Sequence, residues 1–206
     1  MQIDKRIQER DLKALDFINN CKICTRAQIQ EVIYPGIDES VCIRRLRLLD
    51  ELKLVSRARF NINEKSNQYV YYPYKSKKPS KRLLAHDLTV TEFIAALYKA
   101  NIEVVKVERV SPIGNVIPDA YIVIKTSTGA IKRLLIEVQL SGKLEDCVVK
   151  YKGFKEQVIK HKPKWQSIPT LIVVSDLEGE RLKVRHMNVK YTNTSMENIR
   201  NLIFGE

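Results

Sequence analysis

Apolar residues in the first 75 positions recur with the spacing of three amphipathic helices followed by two alternating strands. Thr25 and Asp38 or Ser40 are the predicted caps that open the second and third helices. The predicted segments are helices over 8–19, over 25–34 before Pro35-Gly36 and over 38–52, then strands over 55–62 and 68–72. Three helices and a two-stranded wing are the plan of a winged helix-turn-helix.

The second half of the chain predicts a mixed helix and strand domain. A turn at Ser127-Thr128-Gly129 joins two apolar runs into a hairpin over 119–140. The remaining predicted elements are a helix over 86–100, a strand over 102–110, a helix over 143–158, a strand over 171–175, a trailing strand and a helix over 195–204. The fold class expected for the whole chain is therefore α+β, with two domains.

A basic segment without periodicity separates the two halves. The run from Tyr74 to Arg82 carries five Lys or Arg residues and Pro79. This composition is typical of a solvated linker. We therefore expect a first domain over 1–75, a linker over 76–83 and a second domain over 84–206.

The formal charge of +12, from 36 basic and 24 acidic residues, favours a polyanionic partner. Residues 1–85 hold 18 Lys or Arg against 10 Asp or Glu, and residues 86–206 hold 18 against 14. The chain has no run of eighteen apolar residues and no signal-peptide core at its start, so the expectation is a cytoplasmic protein without membrane contact. Cys21-Lys-Ile-Cys24 has the spacing of half a zinc site, but a second cysteine pair is missing, so no zinc is expected.

The third helix is the candidate recognition helix for double-stranded DNA. Its predicted exposed side carries Ser40, Arg44, Arg45 and Arg47, and arginine is the commonest reader of guanine edges. The predicted wing adds Arg57, Arg59 and Lys65. The alternatives are a solvated basic face and a winged helix that binds protein.

The hairpin over 119–140 carries the candidate chemistry. Asp119 opens its first strand, and Glu137 and Gln139 share one face near the end of the second. Antiparallel pairing brings the two carboxylates opposite each other, where they repel unless a divalent cation lies between them. Asp119 alone is also compatible with a strand-start cap, whereas a lone carboxylate at Glu137 in an apolar strand is costly to bury.

This arrangement resembles the PD-(D/E)xK nuclease fold, and the order of predicted elements is similar as well. The resemblance implies that Asp119 and Glu137 bind Mg²⁺ and that Glu92 on the preceding helix supplies a further acid. Gln139 stands where most active members place a lysine, and some relatives carry that lysine on the next helix, where this chain has Lys150. The implied catalytic set is therefore Asp119, Glu137, Gln139 and Lys150.

Two families share short motifs with this chain. The run Pro118-Asp119 … Glu137-Val138-Gln139-Leu140-Ser141 … Lys150-Tyr151 resembles competence proteins of the CoiA type over about forty residues. The whole chain is similar to the replication-relaxation family of plasmids and mobile elements, at His86, Pro118-Asp119, Glu137 and Lys150-Tyr151. That resemblance implies a role in plasmid replication or DNA mobilisation.

Three hypotheses follow. The first is a DNA-binding accessory protein of replication or mobilisation, acting with other such proteins or as a homodimer, whose nuclease-like domain serves for docking. The second is a Mg²⁺-dependent deoxyribonuclease directed by its winged helix, and the third is a transcriptional regulator. Trp165, flanked by Lys162 and Lys164, fits either stacking on a base or closing the edge of a core.

Overall fold

The computed structural model describes residues 6–63, 66–165 and 167–205. The chain forms two compact units, Met1–Ala95 and Ala96–Glu206. In the described ranges the architecture is mixed, with seven α-helices and two separate sheets. No helix in these ranges is long and apolar enough to cross a membrane.

The first unit contains three helices followed by a β-hairpin. Its elements are α1 (Glu9–Cys21), β1 (Cys24–Thr25), α2 (Arg26–Ile33), α3 (Glu39–Glu51), β2 (Val55–Asn63) and β3 (Ser66–Pro73), then a 3-10 turn at Lys81–Leu83 and α4 (Leu84–Lys99), which runs on into the second unit. The three strands form one antiparallel sheet in the order β1-β3-β2. The two-residue β1, which pairs with Tyr71 and Val70, is an element that the sequence pattern does not predict.

Local capping explains where the helices of this unit begin. Thr25 and Gln28 exchange side-chain and backbone hydrogen bonds of 3.2 and 3.0 Å, which forms a capping box at the start of α2. The Asp38 carboxylate accepts the Ser40 N–H at 2.8 Å at the start of α3. Both caps agree with the sequence expectation.

The first turns of α4 pack with the first unit rather than leaving it. Leu84 and Leu88 join a buried cluster with Ile23, Phe60 and Val70. The compact units therefore divide between Ala95 and Ala96, inside α4, and not at the predicted linker. Most of 76–83 is exposed, but the helix that follows it belongs in its first half to the first core.

The second unit is built on a five-stranded mixed sheet. Its elements after α4 are β4 (Glu103–Arg109), β5 (Ala120–Lys125), β6 (Ile131–Val138), α5 (Asp146–Val149), α6 (Phe154–His161), β7 (Thr170–Val174), β8 (Val189–Thr192) and α7 (Ile199–Phe204). The strand order is β4-β5-β6-β7-β8. Pairing is antiparallel up to β6 and parallel from β6 to β8, so the carboxyl ends of three neighbouring strands meet at one edge.

One face of this sheet packs against α5 and α6, where Tyr121 and Leu135 share a core with Tyr151, Phe154 and Val158. The single helix predicted over 143–158 is wrong, because the chain breaks into two short helices at Gly153, whose φ of +75° is left-handed. Lysines on β6 and β8 donate to the last carbonyls of α7: Lys132 to Ile203 and Lys190 to Leu202.

Candidate metal centre and nucleic-acid interface

The pairing of β5 with β6 places the two predicted carboxylates side by side. The antiparallel register ends with Ala120 opposite Ile136, so Asp119 and Glu137 adjoin the last pair of the ladder. The turn holds this register through the Thr126 N–H, which donates to the Ala130 carbonyl at 2.8 Å. Glu137 shares a face with Leu135, which packs against α5 and α6, and the charge of Asp119 acts on Glu137.

Backbone groups of β6 bind both the carboxylate and the amide of Asp119. Its Oδ2 accepts the Val138 N–H at 2.8 Å, and its own N–H donates to the Ile136 carbonyl at 3.0 Å. Arg109 Nε donates to the Asp119 carbonyl oxygen at 3.0 Å. The half-buried carboxylate therefore has a fixed orientation next to the end of β6.

Glu137 is one of the few buried charged residues, with 3% of its surface exposed. Its Oε1 accepts the Tyr151 hydroxyl at 2.5 Å, and its Oε2 lies 2.8 Å from Lys150 Nζ. Lys150 Nζ also donates to the Ile117 carbonyl at 3.1 Å, so the ammonium links the loop before Asp119 to the end of β6. Each oxygen of the Glu137 carboxylate thus has a partner from the short turn after α5.

The electrostatics of the pair disfavour two negative charges. Burial first, and then the neighbouring charge of Asp119, raise the pKa of Glu137 to about 7, although Lys150 and Tyr151 act in the opposite direction. Burial, together with the nearby Glu137, also raises the pKa of the fully buried Tyr151 well above its ordinary value. Tyr151 therefore acts at neutral pH as a hydrogen-bond donor.

The remaining predicted members are placed elsewhere. The side-chain amide of Gln139 donates to the Ser141 carbonyl at 2.6 Å. Glu92 belongs to the part of α4 in the first unit, where its carboxylate accepts from Gln28 Nε2 at 3.0 Å. Within the described ranges no group of three or more His, Cys, Asp or Glu side chains gathers. The structure brings together Asp119, Glu137 and Lys150, and does not gather the predicted trio of acids.

The donor set fits a hard divalent cation. Asp119 and Glu137 supply carboxylate oxygens, which Mg²⁺ prefers, and Mg²⁺ commonly keeps several waters when only one or two carboxylates hold it. Burial first and the charge of Asp119 second raise the pKa of Glu137, and a bound cation would favour its ionised form. The fit therefore needs the two carboxylates only, without Glu92.

The predicted DNA-contacting residues of α3 separate into two groups. Ser40, Arg44 and Arg47 are exposed, and the Ser40 hydroxyl donates to the Asp38 carboxylate at 2.5 Å. Arg45 differs from the expectation, because its side chain is only 16% exposed and its guanidinium binds both carboxylate oxygens of Asp11, with Nε 3.0 Å from Oδ1. Arg45 therefore holds α1 to α3 and does not belong to the exposed basic face.

Asp11, which the sequence analysis did not single out, is the centre of this buried network. Burial opposes its ionisation, but hydrogen bonds from Arg45, Gln8 and Tyr34 hold the pKa of Asp11 below its ordinary value. Tyr34 donates to Asp11 Oδ1 at 2.9 Å. The hydrophobic pattern of α1 does not reveal this role, since the apolar Leu12 is exposed whereas the charged Asp11 is buried.

The β2–β3 hairpin carries a cluster of two arginines on one tyrosine. The guanidinium carbons of Arg57 and Arg59 lie 4.7 and 4.8 Å from the Tyr69 ring centroid. Arg57 also pairs with Asp50 at 2.8 Å, whereas Arg59 is exposed. Lys65 lies outside the described residues. Of the predicted set, Arg44, Arg47 and Arg59 are the exposed cations available to a ligand of the first unit.

Comparisons with known proteins add little to this geometry. No protein-family model matches the chain, and no curated protein matches it. A solved structure of EndoMS in its apo form is similar at 10% identity and a TM-score of 0.23. The match covers 59% of this chain and 55% of that one, so the chain spans about half the length of its structural neighbour. At so low a TM-score the likeness carries no argument.

Proposed function

We propose that this chain is a DNA-binding protein whose second unit hydrolyses phosphodiester bonds at a Mg²⁺ site of the PD-(D/E)xK type. The observation that carries the proposal is the buried Glu137 carboxylate, which is close enough to Asp119 to have its pKa raised by it and has Lys150 2.8 Å from one of its oxygens. Two acids and a lysine are the side chains that the resemblance implies, with the lysine supplied by the helix after the strand.

The topology of the second unit supports the assignment. A helix precedes three antiparallel strands, and a helical crossover then returns to a parallel strand beside β6. The acid pair lies where the carboxyl end of β6 meets the start of β5, and ligands of α/β sheets bind at such edges. This is the element order expected from the sequence for the nuclease-like core.

Each residue of the site has a distinct role in this proposal. Asp119 and Glu137 would hold the metal, which supplies Lewis-acid polarisation of a phosphate oxygen and of a water. Tyr151 donates to Glu137 Oε1 at 2.5 Å and so helps to fix the orientation of the carboxylate. Lys150 places a positive charge next to the carboxylates, where it can stabilise negative charge on a phosphate or orient a water.

The first unit is proposed as the winged helix that directs this site to DNA. In support, α1, α2 and α3 are followed by the β2–β3 hairpin, and β1 completes a three-stranded sheet with it. Arg44 and Arg47 on α3 and Arg59 on β2 are exposed. An exposed basic helix with a basic hairpin after it is the electrostatic pattern of a DNA-binding domain.

The test is incubation of the full chain with supercoiled plasmid in the presence of Mg²⁺ or Mn²⁺. We expect nicking by the native chain, and its loss by at least 100-fold in Asp119→Asn and in Lys150→Met. Glu156→Gln is the matched control, because it changes an exposed carboxylate of the same unit. Equal nicking by native chain and Asp119→Asn would assign the activity to a contaminant or to another site.

The Gln139 side chain supports a second candidate, a DNA-binding accessory protein without cleavage. Its amide binds the Ser141 carbonyl and cannot act as a base, so the position usually held by lysine contributes no cation. Two results together would establish this candidate. The native chain would bind Mn²⁺ in calorimetry without nicking plasmid, and the Gln139→Lys variant would nick it. A role in plasmid replication or mobilisation, with partner proteins or as a homodimer, rests on the family resemblance alone.

A further inference from the structure

The positive charge of the second half of the chain is concentrated in one short segment. Residues 150–164 contain six lysines and one glutamate. The remainder of 86–206 contains 12 basic and 13 acidic residues, so outside this segment the charges are nearly balanced. A segment of this kind in a balanced domain marks a surface for a polyanion.

The fold turns this segment into a surface with a basic and apolar stripe. On α6, Phe154 and Val158 are buried in the core, Lys155 beside them is half-buried, and Ile159 is exposed. Lys155 and Ile159 lie one turn apart on α6, Lys162 follows the end of the helix, and all three line the same cavity. Ile159 is 62% exposed, which is high for a large apolar side chain between two cations.

Trp165 lines the same cavity as these residues. Its ring stacks on Tyr121 with centroids 5.1 Å apart and planes inclined by 14°, so the core fixes the indole. The Arg133 guanidinium carbon lies 5.6 Å and Lys162 Nζ 6.0 Å from the Trp165 ring centroid. A shallow cavity of about 270 Å³ lies between Trp165 and the stripe. We define Lys155, Ile159, Lys162 and Trp165 as the α6–Trp165 surface.

We propose that the α6–Trp165 surface binds the phosphodiester backbone of a nucleic acid, with the lysines on phosphates and the apolar groups against sugar or base. Charge complementarity selects this occupant, because phosphates recur along a strand as lysines do along this stripe. A nucleic-acid strand alternates charged phosphates with flat bases, and this surface places an indole and an isoleucine side chain between cations. Sequence alone leaves Trp165 open between a core edge and a stacking platform, and its stack on Tyr121 is the core-edge contact.

This surface is on the same side of the sheet as the acid pair. Tyr121 follows Asp119 by two residues along β5, which is about 7 Å of extended strand, and Trp165 stacks directly on Tyr121. A strand held by the α6–Trp165 surface would therefore run close to Asp119. The proposal goes beyond the proposed function, since it requires neither cleavage nor binding by the first unit.

The test uses Trp165 as its own reporter, because it is the single tryptophan of the chain. Full-length protein in EDTA is titrated with single-stranded and with duplex 20-nucleotide DNA at several salt concentrations. We expect quenching of Trp165 emission and at least a tenfold loss of affinity in Lys155→Gln/Lys162→Gln. The salt slope for that variant should fall by about 2 with duplex, or somewhat less with single strands. The stronger of the two substrates identifies the source of the backbone.

Lys183→Gln/Arg185→Gln is the matched control, since it removes the same charge from exposed positions of the same unit. Equal losses in both double variants would overturn the proposal, as would an absence of quenching at saturating DNA. Equally strong quenching by poly-glutamate of the same charge would also overturn it, in favour of an acidic protein partner. Quenching that persists in Glu137→Gln and in Arg44→Ala/Arg47→Ala supports it, and separates it from the failure or success of the nuclease and winged-helix proposals.

Discussion

Replacing Glu137 with glutamine is expected to remove a pH dependence from the stability of the metal-free protein. The carboxyl of Glu137 has a pKa of about 7 in the folded chain, against 4.5 ordinarily, so folding strengthens its hold on a proton. Between these two values the native state binds more protons than the unfolded state, and the free energy of unfolding therefore falls as pH rises. The contribution is complete below about pH 4.5 and is lost as pH passes through about 7.

The size of the effect follows from the two pKa values. Each pH unit between them corresponds to about 1.4 kcal/mol, so ionised Glu137 costs the native state about 3 kcal/mol above pH 7. Lys150 and Tyr151 lower this cost but do not cancel it, because Glu137 is buried next to Asp119. Glutamine does not ionise, and the difference in stability between Glu137→Gln and native chain should shift by about 2.5 kcal/mol in favour of the variant from pH 5 to pH 8.

Urea unfolding in EDTA, followed by Trp165 fluorescence, is the assay, since the only tryptophan reports on the second unit. Glu156→Gln serves as control, because the same chemical change at an exposed position should leave the pH profile of the native chain intact. A difference between Glu137→Gln and native chain that stays constant from pH 5 to pH 8 would refute the reasoning, since it would mean that Glu137 ionises as it does in water.

Three further results are expected. Arg45→Ala should destabilise the first unit by about 3 to 5 kcal/mol in urea unfolding followed by circular dichroism, because it leaves the Asp11 carboxylate buried without its cation; a loss below 1 kcal/mol would contradict a structural role. Tyr151→Phe removes the donor to Glu137 and should cost about 1 to 3 kcal/mol at pH 8 and less at pH 5, by the same assay as above. Limited trypsin digestion should cut first within 75–82, where the basic residues are exposed, as mass spectrometry of the fragments would show. A first cut at another position would contradict this expectation.

Periodicity predicted much of the local structure of this chain because its signals are local. The α3 helix from Glu39 to Glu51 and the β5–β6 hairpin lie close to their predicted positions, since caps, alternation and a Ser-Thr-Gly turn lie within a few residues of one another. The same alternation predicted that Asp119 and Glu137 would be opposite each other. Strand β1 was missed because two residues are too few to show any period.

The misplaced residues depended on contacts between distant parts of the chain. Arg45 lies on a helix whose exposed side could be inferred only by knowing where α1 packs, and the Asp11 carboxylate, 34 positions away, decides its direction. The sequence pattern did not predict the helix break at Gly153, because a single glycine is tolerated inside a helical pattern. In one continuous helix Lys150 and Tyr151 would point about 100° apart, whereas in the turn before Gly153 both reach Glu137.

The register of the β5–β6 hairpin also has a consequence for the order in which the second unit folds. A hairpin closes quickly from its turn, which here spans Thr126 to Ala130, and zips towards its open end. Asp119 and Glu137 lie at the open end of the hairpin, next to the last pair of Ala120 and Ile136. Glu137 gains Lys150 and Tyr151 only when the segment after β6 folds back onto the sheet, and β7 pairs beside it after a crossover of about thirty residues, a slow long-range contact. We therefore expect the carboxylate pair to assemble late in folding, after the hairpin that carries it.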